Sequence, residues 1–200
     1  TAAPDPYYVW LSEVMLQQTT VAAIKPYFKK FTERWPRVEM LAAAPDEDVM
    51  AAWAGLGYYS RARNLVKCAP VVAKRGGFPE TEAELRALPG LGAYTAAAVA
   101  AIAFGQRAVV VDANVERVVS RLFAIEEPLP ASRKAIWAQT DGITPSLRSG
   151  DFAQAMMDLG ATVCTRSKPS CHSCPLKTDC LACKRSDIIS YPGKKPKKSL

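Results

Sequence analysis

The sequence predicts an all-α fold, and three observations carry that prediction. Apolar residues recur at helical spacing through most of the chain, as in Val21, Ile24, Phe28, Phe31 and Trp35, with Lys and Glu between them. Residues 93–104 form an Ala-rich run, the composition with the strongest intrinsic helix preference. The one strand-like stretch, Ala108–Val111, is too short to found a sheet.

In order along the chain, a first helix carries SEVMLQQT, and a second starts at Val21 with Pro26 either kinking it or lying in its first turn. A third starts with Asp46 as N-cap after Pro45 and stops near Gly55. A fourth runs from about Tyr58 to Lys74 and ends at Gly76–Gly77. Thr81 and Glu84 have capping-box spacing and open a short helix that ends at Leu88. After LPGLG and the Ala-rich helix, further helices are expected near 114–123, 132–140 and 151–163. Asp112 is an N-cap candidate for the first of these. The closing residues, KKPKKSL, read as a linker or tail.

Composition narrows the partners. Hydrophobic residues at 49% exclude a disordered chain. Lys+Arg at 26 against Asp+Glu at 19 gives a net charge of +7, which suits a phosphate backbone or an anionic membrane surface. The longest apolar run, 96–104, falls well short of the roughly 20 residues of a spanning helix. The opening TAAPDPYY has no signal-peptide character and no initiator Met, so a piece of a longer chain is expected.

Of the 6 cysteines, only Cys68 stands apart from the crowd at 164–183. Such clustering favours a metal site in a reducing cytoplasm over a disulfide framework. Cys164, Cys171, Cys174 and Cys180 are separated by six, two and five residues, and a compact loop of that kind can point four thiolates at one centre. An iron–sulfur cluster takes four Cys ligands, and structural zinc takes the same set, usually as two close pairs. Only Cys171 and Cys174 form such a pair, so iron–sulfur leads, with zinc and free thiols open. Cys183 competes with Cys180 as fourth ligand, with a spare thiol its plainer reading. His172 reads as an exposed loop residue. Arg166, Lys168, Lys177 and Lys184 in or beside the loop can meet phosphates or simply be solvated. In the LPGLG turn, Gly90 and Gly92 permit a tight hairpin and leave backbone N–H groups open to a phosphate.

LPGLG, the Ala-rich helix, VVVDANVERV and the cysteine loop together resemble the helix–hairpin–helix DNA glycosylase superfamily over nearly the whole chain. That resemblance implies two helical lobes with a DNA groove between them and a [4Fe–4S] cluster held by Cys164, Cys171, Cys174 and Cys180. It implies a helical core over 1–163, with the hairpin at 81–105 and a six-helix-type lobe at roughly 18–120. A cluster loop follows at 164–183, then a basic linker at 184–200.

Within the superfamily, the lyase branch has a nucleophilic Lys two positions after the second hairpin glycine; Tyr94 stands there and cannot form a Schiff base. SEVMLQQT and GLGYYSRARNL are similar to the adenine-glycosylase (MutY-type) branch. The resemblance then implies Glu13 as the acid that protonates adenine and Asp112 as the carboxylate that stabilises the oxocarbenium-like sugar, with Tyr94 and Asn114 orienting them. Apolar neighbours of Glu13 suggest a partly buried carboxyl whose pKa burial raises. Gln18 and Tyr58 match wedging positions in the stack, and Gln154 a contact to the flipped purine. Leu16, Gln17, Thr19, Ser60, Arg61, Gly90 and Gly92 fall among further DNA or pocket contacts.

The implied reaction is hydrolysis of adenine mispaired with 8-oxoguanine or guanine, by a monomeric, cytoplasmic, nucleoid-associated enzyme of bacterial type acting on double-stranded DNA. Ala113 departs from the family's Gly after the catalytic Asp. DANV also occurs in thymine-mismatch glycosylases, which keeps a thymine-mismatch or oxidised-pyrimidine enzyme as an alternative. A cluster-bearing DNA-binding module without catalysis is the alternative of another class.

Overall fold

A computed structural model describes residues 4–193, which form helices joined by turns and extended segments, with no strand among the described residues. The chain divides into two compact units, 1–106 and 107–200. No helix among the described residues is long and apolar enough to cross a membrane.

The first unit holds α1 (Pro6–Leu16), α2 (Val21–Arg34), α3 (Val38–Ala42), α4 (Asp46–Trp53), α5 (Ser60–Arg75), α6 (Glu82–Arg86) and α7 (Ala93–Phe104). Asp5 opens α1 by accepting from the Tyr7 N–H, with Pro6 in the first turn where its missing N–H costs nothing. The apolar stripe expected on α2 is narrower than its spacing suggests: Ile24 and Phe31 are buried, but Val21 is exposed. Pro26 lies inside α2. Asp46 is the first residue of α4 rather than its N-cap; that place falls to Pro45, and no side chain caps the helix. The Thr81–Glu84 capping box forms as expected, and Gly76 closes α5 with a left-handed φ of 85°.

α7 is apolar all round and buried accordingly, with Ala96–Ala101 at most 2% exposed. Small side chains let α1 and α6 pack closely on it. This packing positions the site, because α1 carries Glu13 and the start of α7 carries Tyr94.

The hairpin between α6 and α7 depends on one glycine. Gly90 has φ 77°, and a Cβ there would sit 2.5 Å from the Asn64 Cβ on α5. Gly90→Ala is expected to destabilise the protein by about 1–2 kcal/mol from the left-handed backbone, with the Asn64 collision added. Urea unfolding measures this; an unchanged midpoint would mean the turn relaxes freely.

The second unit holds α8 (Ala113–Leu122), α9 (Arg133–Ile143), α10 (Ser149–Thr162) and α11 (Leu181–Lys184), with α9, α10 and α11 all packed on α8. Ala108–Val111 is extended but pairs with no strand. Residues 185–193, read from sequence as the start of a tail, instead pack into this unit. Tyr191 is buried, and the Leu129 N–H donates to the Gly193 carbonyl. The buried ring outweighs the local Pro/Gly signal. KKPKKSL lies outside the described residues.

Candidate active site and cysteine pocket

In the first unit, Glu13 faces the inner side of α1 and is 5% exposed, among Trp10, Leu11 and Val14. The Tyr94 hydroxyl donates to Glu13 Oε2 at 2.6 Å, a short charge-assisted bond if the carboxyl is ionised. Gln17 Nε2 donates to Thr95 Oγ1 at 3.0 Å, a second tie from the end of α1 to α7. Leu16 and Thr19 are half-buried, while Gln18 is exposed with a left-handed φ of 59°. Tyr58 is likewise exposed and left-handed, at φ 47°, an uncommon backbone for a bulky residue. Ser60 is exposed at the start of α5. Gly90 and Gly92 are exposed in the hairpin, and Gly92 caps α7 without a side chain, leaving first-turn N–H groups without helical acceptors.

Arg61 sits differently from a surface phosphate contact. It is buried, stacks over Trp53 and Tyr58, and donates to the carbonyls of Val14, Met15, Leu56 and Gly57. Burial lowers its pKa from the ordinary arginine value. The guanidinium clamps the end of α1 to the turn that presents Tyr58.

In the second unit, Asp112 is the N-cap of α8, its Oδ1 accepting from the Val115 N–H at 2.7 Å. Its Oδ2 accepts from Asn114 Nδ2 at 3.0 Å. Asn114 Oδ1 accepts from Arg117 Nη2 at 2.8 Å, and Arg117 Nε donates to the Cys164 carbonyl at 2.8 Å. A continuous hydrogen-bonded path therefore links the Asp112 carboxylate to the backbone of the first loop cysteine. Gln154, by contrast, is exposed and its amide folds back onto the Gly150 carbonyl of its own helix.

Gly160 on α10 makes that path possible, since a Cβ there would lie 2.6 Å from the Asn114 Cβ. Gly160→Ala is expected to displace Asn114 and with it the orientation of Asp112. Any reaction that depends on Asp112 should slow by more than the loss of stability explains, by roughly 10²-fold for a displacement near 1 Å. Single-turnover rates measured beside thermal unfolding check this; loss of stability with an unchanged rate would count against the positioning role.

Cys164, Cys171, Cys174 and Cys180 all line one pocket with Val118, Leu122 and other apolar residues. Among the described residues, no three His, Cys, Asp or Glu side chains converge tightly enough to hold a single metal ion. Beside the pocket, Arg121 is 1% exposed and donates to the carbonyls of Tyr191, Cys164, Thr165 and Arg166 and to Cys164 Sγ at 3.3 Å. Among the described residues it makes no ion pair with a carboxylate. A buried cation beside soft thiols fits a pocket that holds an anionic thiolate-ligated group. His172 is exposed, as expected, and Arg166, Lys168, Lys177 and Lys184 are exposed around the loop.

Sequence reasoning singled out Glu13, Tyr94, Asp112 and Asn114, which the fold holds in these hydrogen bonds, but not Arg117, Arg121 or Gly160. The four-residue spacing of the two arginines on α8 was the available signal, because it places them on one helix face. Nothing local marks Gly160, whose contact comes from another helix.

Comparison with known proteins identifies the family. Residues 11–139 match the family described as HhH-GPD superfamily base excision DNA repair protein. The chain is 48% identical over 185 residues to the adenine DNA glycosylase of Homo sapiens, covering 90% of this chain and 34% of that protein. It is 37% identical over 198 residues to the adenine DNA glycosylase of Buchnera aphidicola subsp. Baizongia pistaciae, covering 98% of this chain and 56% of the relative. The chain thus spans between about a third and just over half the length of these curated relatives. Among solved structures, a thermostable thymine-DNA glycosylase superposes with TM-score 0.81 at 32% identity, covering 90% of this chain and 85% of that one. A non-covalent endonuclease III–DNA complex superposes with TM-score 0.77 at 28% identity, covering 92% of this chain and 86% of that one. The chain belongs to the HhH-GPD superfamily of base excision DNA repair proteins.

Proposed function

We propose that this chain carries the catalytic part of a monofunctional adenine-DNA glycosylase, which hydrolyses the N-glycosidic bond of adenine opposite 8-oxoguanine or guanine in double-stranded DNA. The observation that carries the reading is the 2.6 Å hydrogen bond from Tyr94 to Glu13. The position that would need a lysine for lyase chemistry instead holds a hydroxyl that orients a buried carboxyl. Adenine leaves poorly as an anion. Glu13 donates a proton to the base, which removes that charge as the bond breaks. Asp112 stabilises the cationic sugar and orients the attacking water, as a carboxylate does in glycoside hydrolysis. Its cap and its bond from Asn114 hold it in place for that role.

The base must leave the stack before it can react. Gln18 and Tyr58, exposed on strained left-handed backbone, are the side chains that fill the gap. The hairpin amides of Gly90 and Gly92 bind a phosphate of the DNA strand. Gln154 contacts the extruded purine, a role that requires its amide to leave the Gly150 carbonyl.

The cysteine pocket holds a [4Fe–4S] cluster on Cys164, Cys171, Cys174 and Cys180. The shared pocket, the cysteine spacing and the buried Arg121 support this over zinc, whose four sulfurs must each lie about 2.3 Å from a single ion. When bound, the cluster cross-links the loop through iron–thiolate bonds.

A single-turnover assay on a duplex with one adenine opposite 8-oxoguanine tests the activity. Alkali-dependent cleavage at that adenine is expected, without strand scission before alkali. A second reading, a thymine-mismatch glycosylase, is favoured by the similarity to the thymine-DNA glycosylase structure. Release from a G·T duplex with none from the adenine duplex would establish it instead.

A further inference from the structure

Five thiols line the cysteine pocket. Cys183 on α11 faces the same space as Cys164, Cys171, Cys174 and Cys180. It follows Cys180 by three residues, so the first turn of α11 brings both to one face. Within the pocket its thiol neighbours those of Cys171 and Cys180. Packing does not require sulfur here: Cys183 is half-buried against an apolar cluster that includes Leu122 and Tyr191, where a small aliphatic residue would serve. Cys68 is a contrast, fully buried among apolar neighbours.

We propose that Cys183 is a reserve ligand of the iron–sulfur cluster, able to take over the corner held by Cys171. This rests on the cluster reading above. In the exchange, the iron–Sγ bond to Cys171 breaks and one to Cys183 forms. The proton released by the Cys183 thiol passes to the departing Cys171 thiolate, or to solvent where Cys171 has been oxidised or replaced. No electron moves. Of the two ligands that neighbour Cys183, Cys171 is the one for which a reserve is more useful. It is half-exposed, as Cys174 is, whereas the other neighbour of Cys183, Cys180, is buried like Cys164, and exposed thiolates are the ones that climb the oxidation ladder first. The cluster then survives damage at an accessible ligand.

The test compares iron and sulfide content, electron paramagnetic resonance of the reduced protein and alkylation mapped by mass spectrometry. Wild type, Cys183→Ala, Cys171→Ala and the double variant are purified anaerobically. Wild type and Cys183→Ala are expected to hold roughly four irons per chain. Cys171→Ala keeps most of its iron with an altered resonance signal, and the double variant holds several-fold less. Cys183 is alkylated in wild type and protected in Cys171→Ala. A cluster in wild type with Cys171→Ala as empty as the double variant overturns the proposal alone. So does a Cys183 already protected in wild type, which would make it an ordinary ligand. A wild-type protein without iron–sulfur absorption overturns the cluster reading and this proposal together. Should Cys171→Ala fail to fold, peroxide-driven iron loss from wild type and Cys183→Ala decides: several-fold faster loss from the variant is expected, and equal rates overturn the proposal.

Discussion

Asp112→Asn is expected to slow single-turnover adenine release by roughly 10²–10⁴-fold while leaving the fold intact. Asp112 has two jobs that this substitution separates. As N-cap it accepts from the Val115 N–H, and Asn caps helices about as well as Asp. The neighbouring Asn114 Nδ2 can still donate to the new amide oxygen. What disappears is the negative charge that would stabilise the cationic sugar and draw a proton from water. Rate, thermal unfolding and affinity for the adenine duplex should be measured on one preparation. A slow variant with native stability and retained binding supports an electrostatic role. Unchanged release would remove Asp112 from the chemistry and leave it as a cap. Substitution by Ala would confuse these outcomes, since losing the cap alone costs about 1 kcal/mol.

Glu13→Gln should have an effect of similar size for a different reason, again roughly 10²–10⁴-fold. Gln matches Glu in shape, and its side-chain oxygen can accept from the Tyr94 hydroxyl, so α1 keeps its packing on α7. An amide has no proton of suitable acidity to give to a departing base. Chemistry should fall while duplex binding and stability change little. A duplex carrying a purine analogue that leaves without protonation refines the test. Glu13→Gln should release that base at close to the wild-type rate if the lost function is acid catalysis. An equal defect on both bases would point to a misplaced α1 instead.

Much of the molecule was readable from residue order. Helical periodicity and Ala-rich composition specify an all-helical chain, because both act within a few turns of one helix. Capping followed local chemistry at Thr81 and at Asp112, where the side chain reaches an N–H three residues on. The candidate catalytic residues were reached through motifs, as were the four cysteines whose spacing crowds them into one loop. Packing decided the rest. The division at residue 106 carries no compositional mark. Arg61 reads in sequence as a DNA or pocket contact, and only the fold shows it buried against four carbonyls. Residues 185–193 look like a tail, yet Tyr191 finds a buried place. Arg117 and Gly160 take their roles from a helix distant in sequence. Local signals report what a residue prefers alone. Whether a guanidinium meets water or carbonyls, and whether a glycine is indispensable, depends on which neighbour the tertiary fold places within a few ångströms.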